Sequence, residues 1–224
     1  MNPPRTQQAL LRLARPIAAC YGRDFFFGPF LSAAIAGRDE AAMRLAITTA
    51  LTEGVKPRTL DEIILQSHLF LGFPAMIEAS RLFAEVQPTR RVSRRLPKPY
   101  SVSRVRGWNR DGKAKIRSIY GTAFGRLVEY INSFSPQVLT WMINDGYGQV
   151  LSRPGASFPL RELSIVATLT VTGYENQLKA HIRGALNVGV DPDLIIQTIA
   201  NCRCFCGQEN LTKASGILTQ AMGA

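Results

Sequence analysis

Two side chains in this sequence have the types and spacing for proton transfer. The chain has only two histidines, His68 and His181, and His181 stands four residues after Gln177 and nineteen after Glu162. Imidazole exchanges protons near neutrality, and a facing carboxylate fixes its tautomer and raises its basicity. In residues 178–189, Leu178, Ile182, Ala185, Leu186 and Gly189 fall on one helical face about 80° wide. His181 lies at its border, about 60° from Leu178. Gln177, one turn earlier, can hydrogen-bond to the ring or to a ligand beside it, and Gly184 leaves room next to it.

The elements that must position this pair are helices. Glu162 belongs to a helix over 160–172, opened by Ser157 as a plausible N-cap and Pro159 in the first turn. If that helix packs antiparallel to 175–189 across Gly173, Glu162 and His181 differ in height by roughly 5 Å, within reach of two long side chains. The residues alone leave two readings open: a working acid–base pair, or a satisfied polar contact between helices. His68, inside the largely apolar "IILQSHLFLGF", is expected to pack or to bond to backbone. "LSIVATLTVT" suits strand or helix by its β-branched residues, and its helical neighbours favour helix.

A repeat organises the chain. Residues 49–75 align without gaps on 184–210, an offset of 135. Gly54-Val55-x-Pro57 matches Gly189-Val190-x-Pro192, and Gly72 matches Gly207. Glycine ends a helix in the left-handed region, and proline shortly after prevents its continuation. A helix–Gly-Val-x-Pro-turn–helix unit is therefore predicted twice, in an all-α fold. The positions equivalent to Glu162 and His181 are Phe27 and Ala46. The N-terminal half, 1–86, is accordingly a degenerate copy kept for packing, and 113–224 carries the candidate site.

Between the halves, 87–112 is rich in proline and arginine and is expected to be an extended linker. Residues 87–117 hold eleven basic residues and one acid, so they carry +10 of the net +11. With Tyr100 and Trp108 interleaved, this segment could contact nucleic acid or another anionic partner. Three of the four cysteines crowd into "NCRCFC", Cys202, Cys204 and Cys206. C-x-C-x-C is not a usual zinc or dithiol spacing, so they are expected to be reduced, partly buried thiols. No apolar run reaches a membrane span, and the N-terminal segment is expected to be a capped amphipathic helix rather than a signal peptide. The expected location is the cytoplasm, with no membrane association.

Residues 147–199 resemble the carboxymuconolactone decarboxylase family, related to alkyl hydroperoxidase D. The resemblance rests on Tyr147-Gly148, the Ser152-Arg153-Pro154-Gly155 turn, Arg161, Gln177-Leu178-x-x-His181 and Gly184-Ala185-Leu186-Asn187-x-Gly189. It implies an alkyl hydroperoxidase D-like helical fold and a homo-oligomer, here expected as a dimer, trimer or hexamer. The decarboxylase branch acts on a lactone diacid with neither metal nor organic cofactor. The hydroperoxidase branch carries a glutamate, a C-x-x-C pair and a histidine. Glu162 and His181 stand where that glutamate and histidine would, but the two cysteine positions hold Tyr174 and Gln177. Phenol and amide cannot attack a peroxide as a thiolate does, so dithiol peroxide reduction is expected to be lost.

The resemblance implies a cofactor-independent lyase on a small carboxylated substrate. Glu162 and His181 are its expected catalytic residues, and Arg153, Tyr174 and Gln177 its expected substrate-binding residues. Arg153 is preferred over Arg183 as carboxylate anchor because Arg183 points about 200° away from the His181 face. The alternatives are a non-catalytic oligomeric scaffold whose basic linker meets an anionic partner and, less favoured, a peroxiredoxin-like antioxidant activity.

Overall fold

The structure is a computed structural model that describes residues 2–88 and 99–223. In chain order its helices are α1 (Gln7–Tyr21), α2 (Asp24–Ala36), α3 (Glu40–Thr52), α4 (Pro57–Gln66), α5 (His68–Val86), α6 (Val102–Tyr120), α7 (Phe124–Phe134), α8 (Pro136–Trp141), α9 (Phe158–Thr172), α10 (Glu175–Asn187), α11 (Pro192–Asn201) and α12 (Gln208–Met222). A π-helical stretch runs over Met142–Val150. No strand occurs among the described residues, and the all-α expectation is met. By contacts the chain forms two compact units, one of Met1–Pro88 with Gly155–Ala224 and one of Thr89–Pro154.

In the first unit the duplication is visible down to single hydrogen bonds. Val55 N–H donates to Ala50 O and Val190 N–H to Ala185 O, both at 2.9 Å and 135 positions apart. Gly54 and Gly189 share φ = +84°, a region costly to residues with a β-carbon. Pro57 and Pro192 each open the next helix, where a missing N–H costs nothing. The equivalence extends beyond the aligned segment, because α2 and α9 occupy matching places and form the centre of the unit. Every residue from Phe26 to Ile35 and from Leu160 to Thr170 is buried. They approach closely at Gly28, where an added β-carbon would lie 3.0 Å from the Leu160 side chain.

This burial explains why "LSIVATLTVT" is helix. Thr168 and Thr170 return their hydroxyls to the carbonyls of Ser164 and Val166, at 3.2 and 2.8 Å. Thr172 does the same to Thr168 O at 3.0 Å, and Ser164 Oγ alone of the segment's hydroxyls has no partner. α1 is capped by Thr6, whose side chain accepts from Ala9 N–H at 3.2 Å, as the amphipathic N-terminal helix requires. Ser157 occupies the cap position of α9 by its extended backbone, yet its side chain makes no capping bond.

The second unit differs from the expected domain plan. The segment 87–112 is not wholly an extended linker, because α6 begins at Val102, with Ser101 Oγ accepting from Arg104 N–H. Residues 89–98 lie outside the described residues. Nor does 113–154 group with the C-terminal half, since it clusters with α6. The reason is a backbone-to-backbone seam. A β-carbon on Gly112 would stand 2.0 Å from Ile143 O, and one on Gly148 would stand 2.2 Å from Trp108 O. Two glycines thus let α6 lie directly against the π-helical stretch, and Asn109 Nδ2 donates across it to Asn144 Oδ1 at 2.8 Å. Composition favoured a loop here; tertiary packing made a helix. The arginines of this helix are largely exposed, and Arg104 stacks over Tyr100 and Trp108.

Candidate functional site

Gly173 (φ +76°, ψ +19°) closes α9 in the left-handed conformation and donates its N–H to Leu169 O. Asn210 braces the turn from α12, donating Nδ2–H to Val171 O at 3.0 Å. α10 then packs back along α9. His181 Nδ1 and Glu162 Oε2 meet at 2.8 Å. A carboxylate only accepts, so opposite an ionised Glu162 the ring donates from Nδ1, and Nε2 is its second proton site.

The pair is more enclosed than a border position on the helix wheel suggests. Glu162 is wholly buried and His181 is 8% exposed. Glu162 Oε1 is buried with no hydrogen-bond partner. A buried carboxylate oxygen without a donor is costly, which marks this spot as strained or awaiting a donor. Phe70, on the first turn of α5, presents its ring edge-to-face to His181 at 5.3 Å between centroids.

A second buried ion pair lies on the same helix. Arg161 Nη2 donates to Glu62 Oε2 at 2.9 Å, and Arg161 Nη1 donates to Gln66 Oε1 at 3.2 Å. Gln66 Nε2 returns a bond to Arg161 O. All three side chains are at least 98% buried. This network ties α9 of one repeat to α4 of the other, and it fixes the turn that carries Glu162. Arg161 belonged to the family-like motif, but nothing in the sequence indicated its partners 95 and 99 residues away.

The other expected site residues scatter. Tyr174 is exposed at the N-terminus of α10 and lines a groove of about 720 Å³. Gln177 is exposed one turn further along, and Arg183 is exposed as its wheel position requires. Arg153 belongs to the second unit, on an exposed turn. The groove is also lined by Arg38, Met43, Phe70 and Pro74; neither Glu162 nor His181 lines it. Phe70 thus lines the groove and also meets the histidine ring. His68, as expected, bonds to backbone, its Nδ1 lying 2.6 Å from Leu65 O.

The cysteines take the expected form. Cys202 and Cys204 are buried and Cys206 half-buried, and all are free. Cys202 donates its S–H to carbonyls of Thr198 and Ala167. Burial raises all three thiols above the ordinary cysteine value, Cys202 furthest, so they stay protonated at neutral pH. They occupy a short 3₁₀ turn and the residues after it, not one continuous helix. Among the described residues no three His, Cys, Asp or Glu side chains come together as a metal-ligand set.

Residues 137–220, the segment that carries the Glu–His pair, match the model of the carboxymuconolactone decarboxylase family. Two relatives refine the comparison. The 4-carboxymuconolactone decarboxylase of Acinetobacter baylyi is 32% identical over 82 residues, which cover 37% of this chain and 61% of that protein. Peroxisomal protein 2 of Schizosaccharomyces pombe is 26% identical over 144 residues, 61% of this chain and 63% of that protein. The chain therefore spans about three-fifths of the length of these curated relatives. Among the described residues no single helix is long and apolar enough to cross a membrane, although α4 and α5 would pass by composition if joined across a 120° bend.

Proposed function

We propose that this protein is a carboxymuconolactone decarboxylase-like lyase that acts on a small carboxylated lactone or related acid without a cofactor. The observation that carries this reading is the buried 2.8 Å contact of His181 Nδ1 with Glu162 Oε2, which leaves Nε2 available. In the reaction the bond from substrate carbon to carboxylate breaks and carbon dioxide leaves. The electron pair passes into the adjoining unsaturated carbonyl system, and a carbon of that system then takes a proton from Nε2 of the imidazolium, which the ring has formed beforehand by drawing a proton from solvent. Glu162, held against Nδ1, stabilises that imidazolium, and solvent restores the proton afterwards. The relative named for 4-carboxymuconolactone supports the substrate class. Turnover of 4-carboxymuconolactone by the wild type, abolished in His181→Ala at retained fold, is the expected result. Equal activity in the two proteins would remove His181 from the mechanism.

A scaffold reading is favoured by one observation: the pair does not line the groove, and Phe70 covers the ring. In that reading the fold persists as a homo-oligomer and α6 meets an anionic partner. Absence of turnover in the wild type, with salt-sensitive retention on heparin, would select it. Peroxide reduction has less support, because Tyr174 and Gln177 replace the thiols and the remaining buried cysteines are held protonated. We place the protein in the cytoplasm as a dimer, trimer or hexamer, since buried thiols suit a reducing compartment. Light scattering and fractionation test both points.

A further inference from the structure

If His181 is the proton donor, substrate must reach it, and a groove of about 720 Å³ lies beside α5. Phe70, in its wall, meets the histidine ring edge-to-face. Its charges are unevenly committed. Glu40 and Glu78 line it and are bridged by Arg81, with Arg44 also on Glu40. Arg38 lines it as well, exposed, and meets no carboxylate among the described residues.

Arg38 is also the one non-glycine residue with positive φ among the described residues, at +55°. Its equivalent 135 positions later is Gly173, the residue type that this backbone favours. The N-terminal copy thus places a guanidinium where the fold prefers glycine, and strain kept at one position asks for a use. Two residues after Phe70, Gly72 (φ +77°, ψ +173°) interrupts α5, so the turn 68–71 is separated from the longer rod 73–86 by a non-helical joint.

We propose that this groove is the entry and holding site for a small dicarboxylate-like substrate, with Arg38 as its anion anchor and Phe70 as the gate to His181. The N-terminal repeat, which lacks the catalytic pair, then supplies substrate recognition to the C-terminal one. The planar guanidinium grips one carboxylate by two parallel bonds, and the apolar wall takes the carbon skeleton. Displacement of Phe70 about the Gly72 joint opens the path to Nε2. This inference rests on the proton-transfer reading of His181, but its tests do not use turnover.

Adipate serves as the dicarboxylate probe, and diethyl pyrocarbonate, which acylates accessible imidazole nitrogen, reports on His181. Affinity for adipate is read by calorimetry and acylation by peptide mass spectrometry. Arg38→Gly is expected to hold or raise Tm, because glycine relieves the backbone, while weakening adipate binding about ten- to hundredfold. Arg38→Lys is expected to bind at an intermediate level. Phe70→Ala is expected to acylate His181 several-fold faster than wild type, with added N-acetylhistidine as internal reference and adipate slowing the reaction. Phe70→Leu stands in if the alanine variant fails to fold. Wild-type protein that does not bind adipate, unchanged affinity in Arg38→Gly, or unchanged His181 acylation in the Phe70 variant would each overturn the proposal. If these results hold while His181→Gln still turns over 4-carboxymuconolactone, the groove stands and the proton-transfer reading falls. The reverse pattern spares the pair and rejects the groove.

Discussion

Replacing Glu162 by Gln changes charge at nearly constant shape, and the structure gives the size of its effect. In the resting protein the amide oxygen still accepts from His181 Nδ1–H across the 2.8 Å contact. The amide NH₂ takes the place of Oε1, which already has no partner, so one buried unsatisfied group replaces another. Stability is therefore expected to shift by no more than about 1 kcal/mol. The charged state responds differently. When His181 carries its second proton, a full positive charge faces the carboxylate at about 4 Å between charge centres. At an effective dielectric of about 20 that attraction is on the order of 4 kcal/mol, some of which the neutral amide recovers by hydrogen bonding. At about 1.4 kcal/mol per decade, kcat is expected to fall roughly 10²- to 10³-fold. KM should barely move, since Glu162 touches the imidazole and not the substrate. Initial rates with 4-carboxymuconolactone, set beside urea denaturation of the same preparations, measure both quantities. A variant with kcat within threefold of wild type refutes the reasoning. So does one that loses several kcal/mol of stability while each folded molecule keeps full activity, which is the signature of a structural pair.

Truncating Glu62 to Ala leaves Arg161 without its carboxylate inside the core, and unfolding free energy should drop by about 3–5 kcal/mol in urea titrations, whereas replacing Glu62 and Arg161 together by apolar residues should cost far less. Gly112→Ala drives a β-carbon into Ile143 O, so residues 99–154 should lose hydrogen-exchange protection while protection in α9 and α10 is kept. In an alkaline titration followed in the ultraviolet, Tyr21 should ionise late, near about 12, because its hydroxyl donates to Asp191 at 2.7 Å. The raised folded value means that this bond stabilises the fold below pH about 10 and is lost as pH climbs through about 12; the lowered Asp191 carboxyl gives the matching loss in acid. Tyr21→Phe should erase the late-ionising step.

How far the residues alone reach is clearest at the repeat. Gly54, Pro57, Gly189 and Pro192 act through their own backbones, so their turn could be read from order and spacing and was found twice with matching hydrogen bonds. The Glu162–His181 contact was legible for a related reason. Two helices joined by one glycine have few ways to pack, and helical rise then sets which side chains stand level. The start of helix 102–120 was not legible, because Gly112 within it and Gly148 opposite matter only where another backbone arrives to touch them. Arg161 with Glu62, and Phe70 over His181, join residues 99 and 111 positions apart. Those meetings are chosen by how α2, α4, α5 and α9 pack around one another, and no local pattern encodes a partner that far along the chain. Sequence thus determined the duplicated helical frame and the pair of groups able to move a proton. Tertiary packing alone decided how deeply that pair is enclosed, which ring stands over it, and which arginine faces the groove outside.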